Sequence, residues 1–209
     1  MTPLAYTTLR VTTFGVVLCG FHWTRFERAG PLAADAFARF STSATPGNYT
    51  LRWDGLTLQT DRFDRSRLEE GMPVRTAPSP LRPGDRLIDK PPPEGTYAAV
   101  RSPGFATLLT SPDGAELYEE SVSALFGWDG RTLISPPKDR PRVLSTSELA
   151  IRGGLEVTEA PIRADSDQPL LLVNAVKGTC APATPGRAPF PSAVREEINA
   201  LLERTAFRP

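Results

Sequence analysis

The chain has 209 residues, with 24 basic and 24 acidic side chains and therefore no formal net charge. A balanced charge gives no general attraction to polyanions, which argues against a dedicated nucleic-acid-binding or membrane-surface protein. This length suits one large domain or two small ones, and it can bury a substantial core.

The sequence has few of the histidine and cysteine side chains that zinc sites and Ser-His-Asp hydrolases use. The one histidine, His22, and the two cysteines, Cys19 and Cys180, are too few for a typical zinc site or a Ser-His-Asp hydrolase. We expect His22 to be structural and both thiols to be buried and free. The N-terminus lacks a signal-peptide pattern, and no stretch approaches the roughly 20 apolar residues of a membrane span. We therefore expect a cytoplasmic protein with no membrane or nucleic-acid partner.

The N-terminal part of the sequence predicts a mixture of strands and helices. Strands are predicted over 4–13, 14–20 and 71–78, helices over 21–30 and 31–42, and a hairpin over 48–63. Pro31 suits the first turn of the second helix, and Asp54-Gly55 is a typical hairpin turn. This order indicates a small α/β unit.

A break in regular structure is predicted over residues 78–95, which contain six prolines and two glycines. We place the domain organisation accordingly, with a small α/β domain over 1–83, a linker over 84–95 and a larger β-rich domain over 96–209. The alternative is a long surface loop within a single domain.

The C-terminal part predicts mainly strands. They are expected over 104–137, 155–162 and 169–178, with helices over 145–154 and 190–207. Asp113-Gly114 and Asp129-Gly130 are strong hairpin signals. We expect a Ser or Thr residue to cap the helix over 145–154 and Ser192 to cap the helix over 190–207.

Several motifs occur in a characteristic order along the chain. They are YTTLRV (6–11), FHWTRF (21–26), DKPPPEGTY (89–97), SPDGAELYEESVSALF (111–126), DGRTLISPP (129–137) and LLLVNAVKGTCAPAT (170–184). Together they resemble the motifs of the fold-type IV pyridoxal-phosphate enzymes, which include branched-chain and D-amino-acid aminotransferases and 4-amino-4-deoxychorismate lyases. The resemblance implies an α+β fold of the D-amino-acid aminotransferase-like type, with pyridoxal phosphate at the junction of the two domains.

The resemblance also assigns roles to four residues. Lys90 would bond covalently to the cofactor and move protons as the catalytic residue, and Arg25 would bind the phosphate. Tyr97 would contact the ring hydroxyl and Glu119 the ring nitrogen. These residue types suit the chemistry, because a lysine amine reacts with an aldehyde, a carboxylate keeps a ring nitrogen protonated and an arginine offers a fork of donors.

The sequence departs from the family pattern in several respects, including a shorter stretch between Lys90 and Glu119 and three prolines after the lysine. Ala124 stands where an asparagine is usual, and LSTSEL (144–149) replaces the usual Leu-Pro-Gly-x-Thr-Arg turn. Hydroxyl and N–H groups at a helix start can still bind phosphate. We therefore expect Ser145, Thr146 and Ser147 to belong to the cofactor site.

Four further site residues follow from position in the motifs. The strand at 170–174 resembles the one that lines the cofactor face, so Asn174 and Ala175 are assigned to the cofactor site. Arg10 and Lys177 are assigned to the carboxylates of the substrate.

The resemblance leaves three functions open. The Lys90-to-Tyr97 spacing and the VNA sequence are most similar to the lyases, which implies conversion of 4-amino-4-deoxychorismate to 4-aminobenzoate and pyruvate in folate biosynthesis. The first alternative is an aminotransferase of branched-chain or D-amino acids. The second is a non-catalytic binding or dimerisation module, favoured by the altered turn. The family further implies a small-molecule substrate and a homodimer.

Overall fold

The computed structural model of the protein describes residues 4–63, 71–82, 84 and 95–207. The helices are α1 (Cys19–Glu27), α2 (Pro31–Ser43), α3 (Thr146–Gly154) and α4 (Ser192–Arg204). The strands are β1 (Ala5–Thr12), β2 (Gly15–Val16), β3 (Gly47–Trp53), β4 (Leu58–Phe63), β5 (Val74–Pro78), β6 (Ala106–Thr110), β7 (Glu116–Glu120), β8 (Ala124–Trp128), β9 (Leu133–Ser135), β10 (Val157–Glu159), β11 (Ile162–Arg163), β12 (Leu170–Asn174) and β13 (Gly178–Cys180).

The N-terminal part forms an antiparallel sheet in the order β2-β1-β3-β4. Alternate residues of β1 are buried, as the pattern of β-branched and aromatic residues predicts. Its apolar face packs on α1 and α2, where Phe26 and Phe37 stack at 5.1 Å between ring centroids. The hairpin predicted at Asp54-Gly55 is confirmed, because the Asp54 carboxylate accepts the N–H groups of Leu56 and Thr57.

The strand predicted over 14–20 is wrong beyond Val16. Leu18 adopts a left-handed backbone conformation with φ of 59°, which ends the extended chain and leads directly into α1. Its N–H donates to the hydroxyl of Thr205 at 2.9 Å, so a residue just after α4 holds the turn. The first helix therefore begins at Cys19.

The C-terminal part contains two sheets packed face to face. One has the order β10-β9-β8-β12-β13 and the other β11-β7-β6-β5. Leucines from both inner faces, including Leu108, Leu117, Leu125 and Leu172, form the core between them. On the opposite face of the five-stranded sheet, α3 and α4 cover a second core that contains Phe126.

Two predicted C-terminal boundaries need correction. The strand expected over 155–162 is divided into β10 and β11, which belong to different sheets and flank Pro161, a residue that cannot donate to a ladder. Helix α4 begins at Ser192, but its N-cap residue is Pro191 and no side chain caps it. The Ser or Thr cap predicted for the helix over 145–154 is confirmed, and Ser145 is the N-cap residue.

Contacts cross the predicted boundary between the two parts of the chain. Strand β5 pairs in parallel with β6 and so belongs to a C-terminal sheet, although the boundary at residue 83 would group it with the N-terminal domain. Val17 and Leu18 pack into the core beneath α3 and α4. The division into two domains remains a prediction.

Both cysteines are buried and neither forms a disulfide in the described part of the chain, as predicted. Among the described residues, no helix is long and apolar enough to cross a membrane. The same residues contain no group of three or more side chains that could hold a metal ion.

Candidate functional site

The centre of the candidate site is the carboxyl group of Glu119 near the end of β7. Only 4% of Glu119 is exposed. The hydroxyl of Tyr97 donates to Oε1 at 2.7 Å, and the backbone N–H of Val143 donates to Oε2 at 3.1 Å. Two sequence-predicted residues, Tyr97 and Glu119, are therefore in direct contact, and each carboxylate oxygen has one donor among the described residues.

Burial dominates the electrostatics of this group. Desolvation raises the pKa of Glu119 to about 8, although the hydrogen bonds from Tyr97 and Val143 favour the charged form. The pKa of Tyr97 is also raised, first by burial and then by the neighbouring Glu119 carboxylate. Within the described part of the chain, no lysine or arginine forms a salt bridge with Glu119. A cationic ligand at this carboxylate would therefore stabilise its ionised form.

The predicted phosphate site is the first turn of α3. Ser145 is the N-cap residue, and its hydroxyl accepts the N–H of Glu148 at 3.1 Å. The N–H groups of Thr146 and Ser147 lie in the first turn, where an α-helix offers no internal acceptor. The Ser147 hydroxyl donates to the carbonyl of Val173 at 3.3 Å, so that side chain ties α3 to β12.

The turn between β12 and β13 contains three predicted residues. The side-chain oxygen of Asn174 accepts the N–H groups of Val176 and Lys177, at 3.0 and 2.7 Å, and thereby shapes the turn. Its amide nitrogen donates to the hydroxyl of Ser123 at 3.1 Å. Ala175 is buried and Lys177 is half-buried. Asn174 is thus a turn-forming residue in this structure.

The remaining predicted residues lie on the N-terminal elements or outside the description. Arg25 is half-buried on α1 and donates to the carbonyl of Tyr6 at 3.2 Å. Arg10 forms an ion pair with Glu203 of α4, which occupies the side chain that was assigned to the substrate. Lys90 lies outside the described residues.

Sequence reasoning missed a buried ion pair beside this site. Arg142 and Glu148 are almost fully buried and bonded to each other. The only signal was the S-x-x-E pattern of Ser145 and Glu148, which is typical of a capping box in which the glutamate bonds back to the N-cap residue. Here the Glu148 side chain binds Arg142 instead.

The described residues fit pyridoxal phosphate at both of its ends. A buried carboxyl that forms no salt bridge with any described lysine or arginine suits a protonated ring nitrogen, and the N–H groups of a helix N-terminus suit a phosphate. Val143 N–H contacts Glu119, and Ser145 caps α3 two residues later, so one short segment connects the two ends.

Known proteins resemble the chain in structure. No protein-family model and no curated protein sequence matches it. A hypothetical aminotransferase from Mycobacterium tuberculosis in its apo form has a TM-score of 0.67 at 18% identity, covering 97% of this chain and 88% of that chain. The pyridoxal-phosphate-bound form of that protein has a TM-score of 0.61 at 17% identity, with coverages of 97% and 88%.

A lyase is among the similar structures as well. The 4-amino-4-deoxychorismate lyase from Pseudomonas aeruginosa has a TM-score of 0.67 at 15% identity, covering 96% of this chain and 90% of that chain. The chain therefore has the α+β fold of the fold-type IV aminotransferases and lyases, as its motifs predict. Identities this low establish the fold alone.

Proposed function

We propose that the protein is a pyridoxal-phosphate-dependent enzyme. The observation that carries this proposal is the buried Glu119 carboxyl, bonded to Tyr97 and Val143 and raised in pKa by burial, within a fold shared with such enzymes. A carboxyl group in this environment is unfavourable as an isolated anion. It becomes favourable when a protonated ring nitrogen lies against it.

The residues of the chain would divide the work of holding the cofactor. Glu119 would accept a hydrogen bond from the ring nitrogen and keep it protonated. The N–H groups at the start of α3, with Arg25, would bind the phosphate. When bound, the cofactor supplies an electron sink for charge that develops next to the substrate nitrogen. Lys90 is the predicted point of covalent attachment.

We propose the lyase reaction as the activity. The substrate, 4-amino-4-deoxychorismate, would lose the proton on the carbon that bears its amino group, and the Lys90 amine, released when the substrate amine replaces it, would take that proton. The bond between the ring and the enolpyruvyl oxygen would then break, giving 4-aminobenzoate and, after protonation, pyruvate. Because Glu203 already pairs with Arg10, Lys177 is the candidate that we retain for a substrate carboxylate.

An assay of the loaded protein distinguishes the possible activities. Purified protein would be incubated with pyridoxal phosphate and 4-amino-4-deoxychorismate, and 4-aminobenzoate and pyruvate would be measured in equal amounts. The Lys90→Ala variant is the control and should form neither product. Amino transfer between an amino acid and a keto acid, without 4-aminobenzoate, would identify an aminotransferase. Absence of both activities would support the non-catalytic alternative.

The predicted small-molecule substrate and homodimer belong to the same proposal. Light scattering of the eluting protein during size-exclusion chromatography measures the mass of the assembly directly. A mass of twice the chain mass of 22.7 kDa is expected.

A further inference from the structure

The buried ion pair next to the candidate site is bidentate and has a further hydrogen bond to a backbone carbonyl. Arg142 binds Glu148 through two parallel bonds, Nη1 to Oε2 at 2.5 Å and Nη2 to Oε1 at 2.8 Å. Nη2 of Arg142 also donates to the carbonyl of Pro136 at 2.7 Å. The side chains are 3% and 1% exposed, so water competes little for these bonds.

The same carboxylate joins three parts of the chain. Oε1 of Glu148 also accepts the hydroxyl of Ser135, at the end of β9, and Nε of Arg152, one turn further along α3, both at 2.9 Å. The backbone N–H of Glu148 bonds the Ser145 cap. Glu148 thus fixes the first turn of α3 to the sheet and to the segment that precedes the helix.

That preceding segment reaches Glu119 through one bond. Val143, adjacent to Arg142, donates its backbone N–H to Oε2 of Glu119 at 3.1 Å. Because the Arg142 side chain is anchored on both Glu148 and Pro136, the direction of the next peptide N–H is constrained.

We propose that Arg142 and Glu148 are positioning residues for the cofactor site. Their ion pair holds the Val143 N–H against Glu119 at the ring-nitrogen end and holds the first turn of α3 at the phosphate end. This inference rests on the proposed function for its cofactor, but its geometric part concerns only residues of this chain. It also assigns a role to the segment in which the usual Leu-Pro-Gly-x-Thr-Arg turn is missing.

A gain in stability is a weak explanation for a buried ion pair. Burying two charges costs solvation free energy, and replacing a buried ion pair by apolar residues of similar volume often leaves stability unchanged or higher. A pair kept for position predicts that an apolar replacement would fold and yet bind the cofactor poorly.

Two variants separate position from stability. Arg142→Lys keeps the positive charge and removes the bidentate hydrogen bonding to Glu148. The double variant Arg142→Met/Glu148→Leu removes both charges together and avoids leaving one of them unpaired in the core. The matched control is Arg140→Met/Glu116→Leu, which replaces a partly exposed pair that joins the same connecting segment to β7.

Two measurements are made on each protein. The first is the dissociation constant of pyridoxal phosphate, from an absorbance titration. The second is the titration midpoint of the Glu119 carboxyl in cofactor-free protein, from carbon-13 NMR, with Glu119→Gln identifying the signal. We expect both variants to weaken binding about tenfold. The charges of Arg142 and Glu148 also act on the Glu119 pKa, so Arg142→Lys, which keeps both charges, is the variant that isolates the hydrogen bond from Val143. Its Glu119 midpoint should rise, since a hydrogen bond to the charged form is weakened. The control should stay within about twofold of wild type.

Each outcome either supports the positioning role of Arg142 and Glu148 or overturns it. If the double variant folds with the affinity and the Glu119 midpoint of wild type, the positioning role is wrong. If the double variant does not fold, Arg142→Lys decides by the same criteria. If wild type binds no pyridoxal phosphate, the proposed function fails, and the Glu119 midpoint of Arg142→Lys confirms or overturns the geometric claim.

Discussion

At the scale of single residues, Glu119 links the candidate site to folding stability. Its folded pKa, about 8, lies above the ordinary value of 4.5, so the folded cofactor-free chain holds this proton more tightly than the unfolded chain does. The stability contributed by the neutral group is complete below the unfolded pKa and is lost as pH rises through the folded pKa. We therefore expect Glu119 to make the protein less stable as pH rises.

Urea unfolding of wild type and Glu119→Gln measures this effect. Between about pH 5 and about pH 8 the free energy of unfolding of wild type should fall by roughly 3 kcal/mol more than that of the variant. Glutamine does not titrate, so the comparison cancels the contribution of other groups. Equal pH dependence in the two proteins would mean that Glu119 is already ionised when folded.

His22 contributes to stability with the opposite pH dependence. It is fully buried, and its Nδ1 lies 2.7 Å from the hydroxyl of Thr7, whereas its Nε2 has no hydrogen-bond partner among the residues that the structure describes. Burial, followed by the charge of Arg25, lowers its pKa from 6.5 to about 3. The stability from the neutral ring is present above the unfolded pKa and is lost as pH falls toward the folded pKa.

The variant His22→Asn tests this second dependence, because the asparagine amide can take the position of Nδ1 against Thr7 and does not titrate. From about pH 7.5 to about pH 5, wild type should lose roughly 2 kcal/mol of unfolding free energy that the variant keeps. Thermal or urea unfolding at the two pH values is sufficient. Parallel pH profiles would contradict the buried neutral histidine.

At the scale of elements, the two helix starts of the C-terminal part differ in their caps. Ser145 caps α3 with its hydroxyl, whereas Ser192 is already inside α4 and caps nothing. Ser145→Ala should cost about 1 kcal/mol of unfolding free energy, and Ser192→Ala should cost close to nothing. Urea denaturation of the two alanine variants makes the comparison directly, and equal losses would contradict the assigned caps.

The same elements show what the sequence could and could not predict. Strands with alternating or β-branched residues and turns with Asp-Gly were predicted correctly, because those signals act over a few neighbouring residues. The turn at Leu18 was missed, since its N–H is bonded by Thr205, a residue near the far end of the chain. Local propensity contains no information about such a contact.

The candidate site shows the same limit. Tyr97 and Glu119 were predicted from motifs, and the structure brings them into contact. Arg142 and Glu148 could not be predicted, because a buried ion pair depends on which side chains the fold desolvates together. Arg10 was assigned by motif position alone, and its partner Glu203 lies on the last helix.

At the scale of the whole molecule, one core joins the two ends of the chain. Val17 and Leu18 share that core with Phe126 of the five-stranded sheet and with Ile198 and Leu202 of α4. Loss of packing on α4 should therefore destabilise the N-terminal and C-terminal parts together. Whether the two parts unfold together can be measured without knowing where the boundary between the predicted domains lies.

The variant Ile198→Ala provides that check, because Ile198 is fully buried. We expect a loss of about 2–4 kcal/mol in unfolding free energy. Tryptophan fluorescence and far-ultraviolet circular dichroism should give coincident unfolding curves for wild type and variant. Two separated transitions, with only one of them shifted by the variant, would show that the parts unfold independently.

The central claim, that this chain holds pyridoxal phosphate on Lys90 beside Glu119, is tested most directly by mass spectrometry. Purified protein would be mixed with pyridoxal phosphate, reduced with borohydride, digested and mapped, with Lys90→Ala treated in parallel. The account predicts one stable phosphopyridoxyl adduct on the peptide that contains Lys90, and no specific adduct in the variant. Absence of an adduct at Lys90 in wild type, or the same labelling in both proteins, would contradict it.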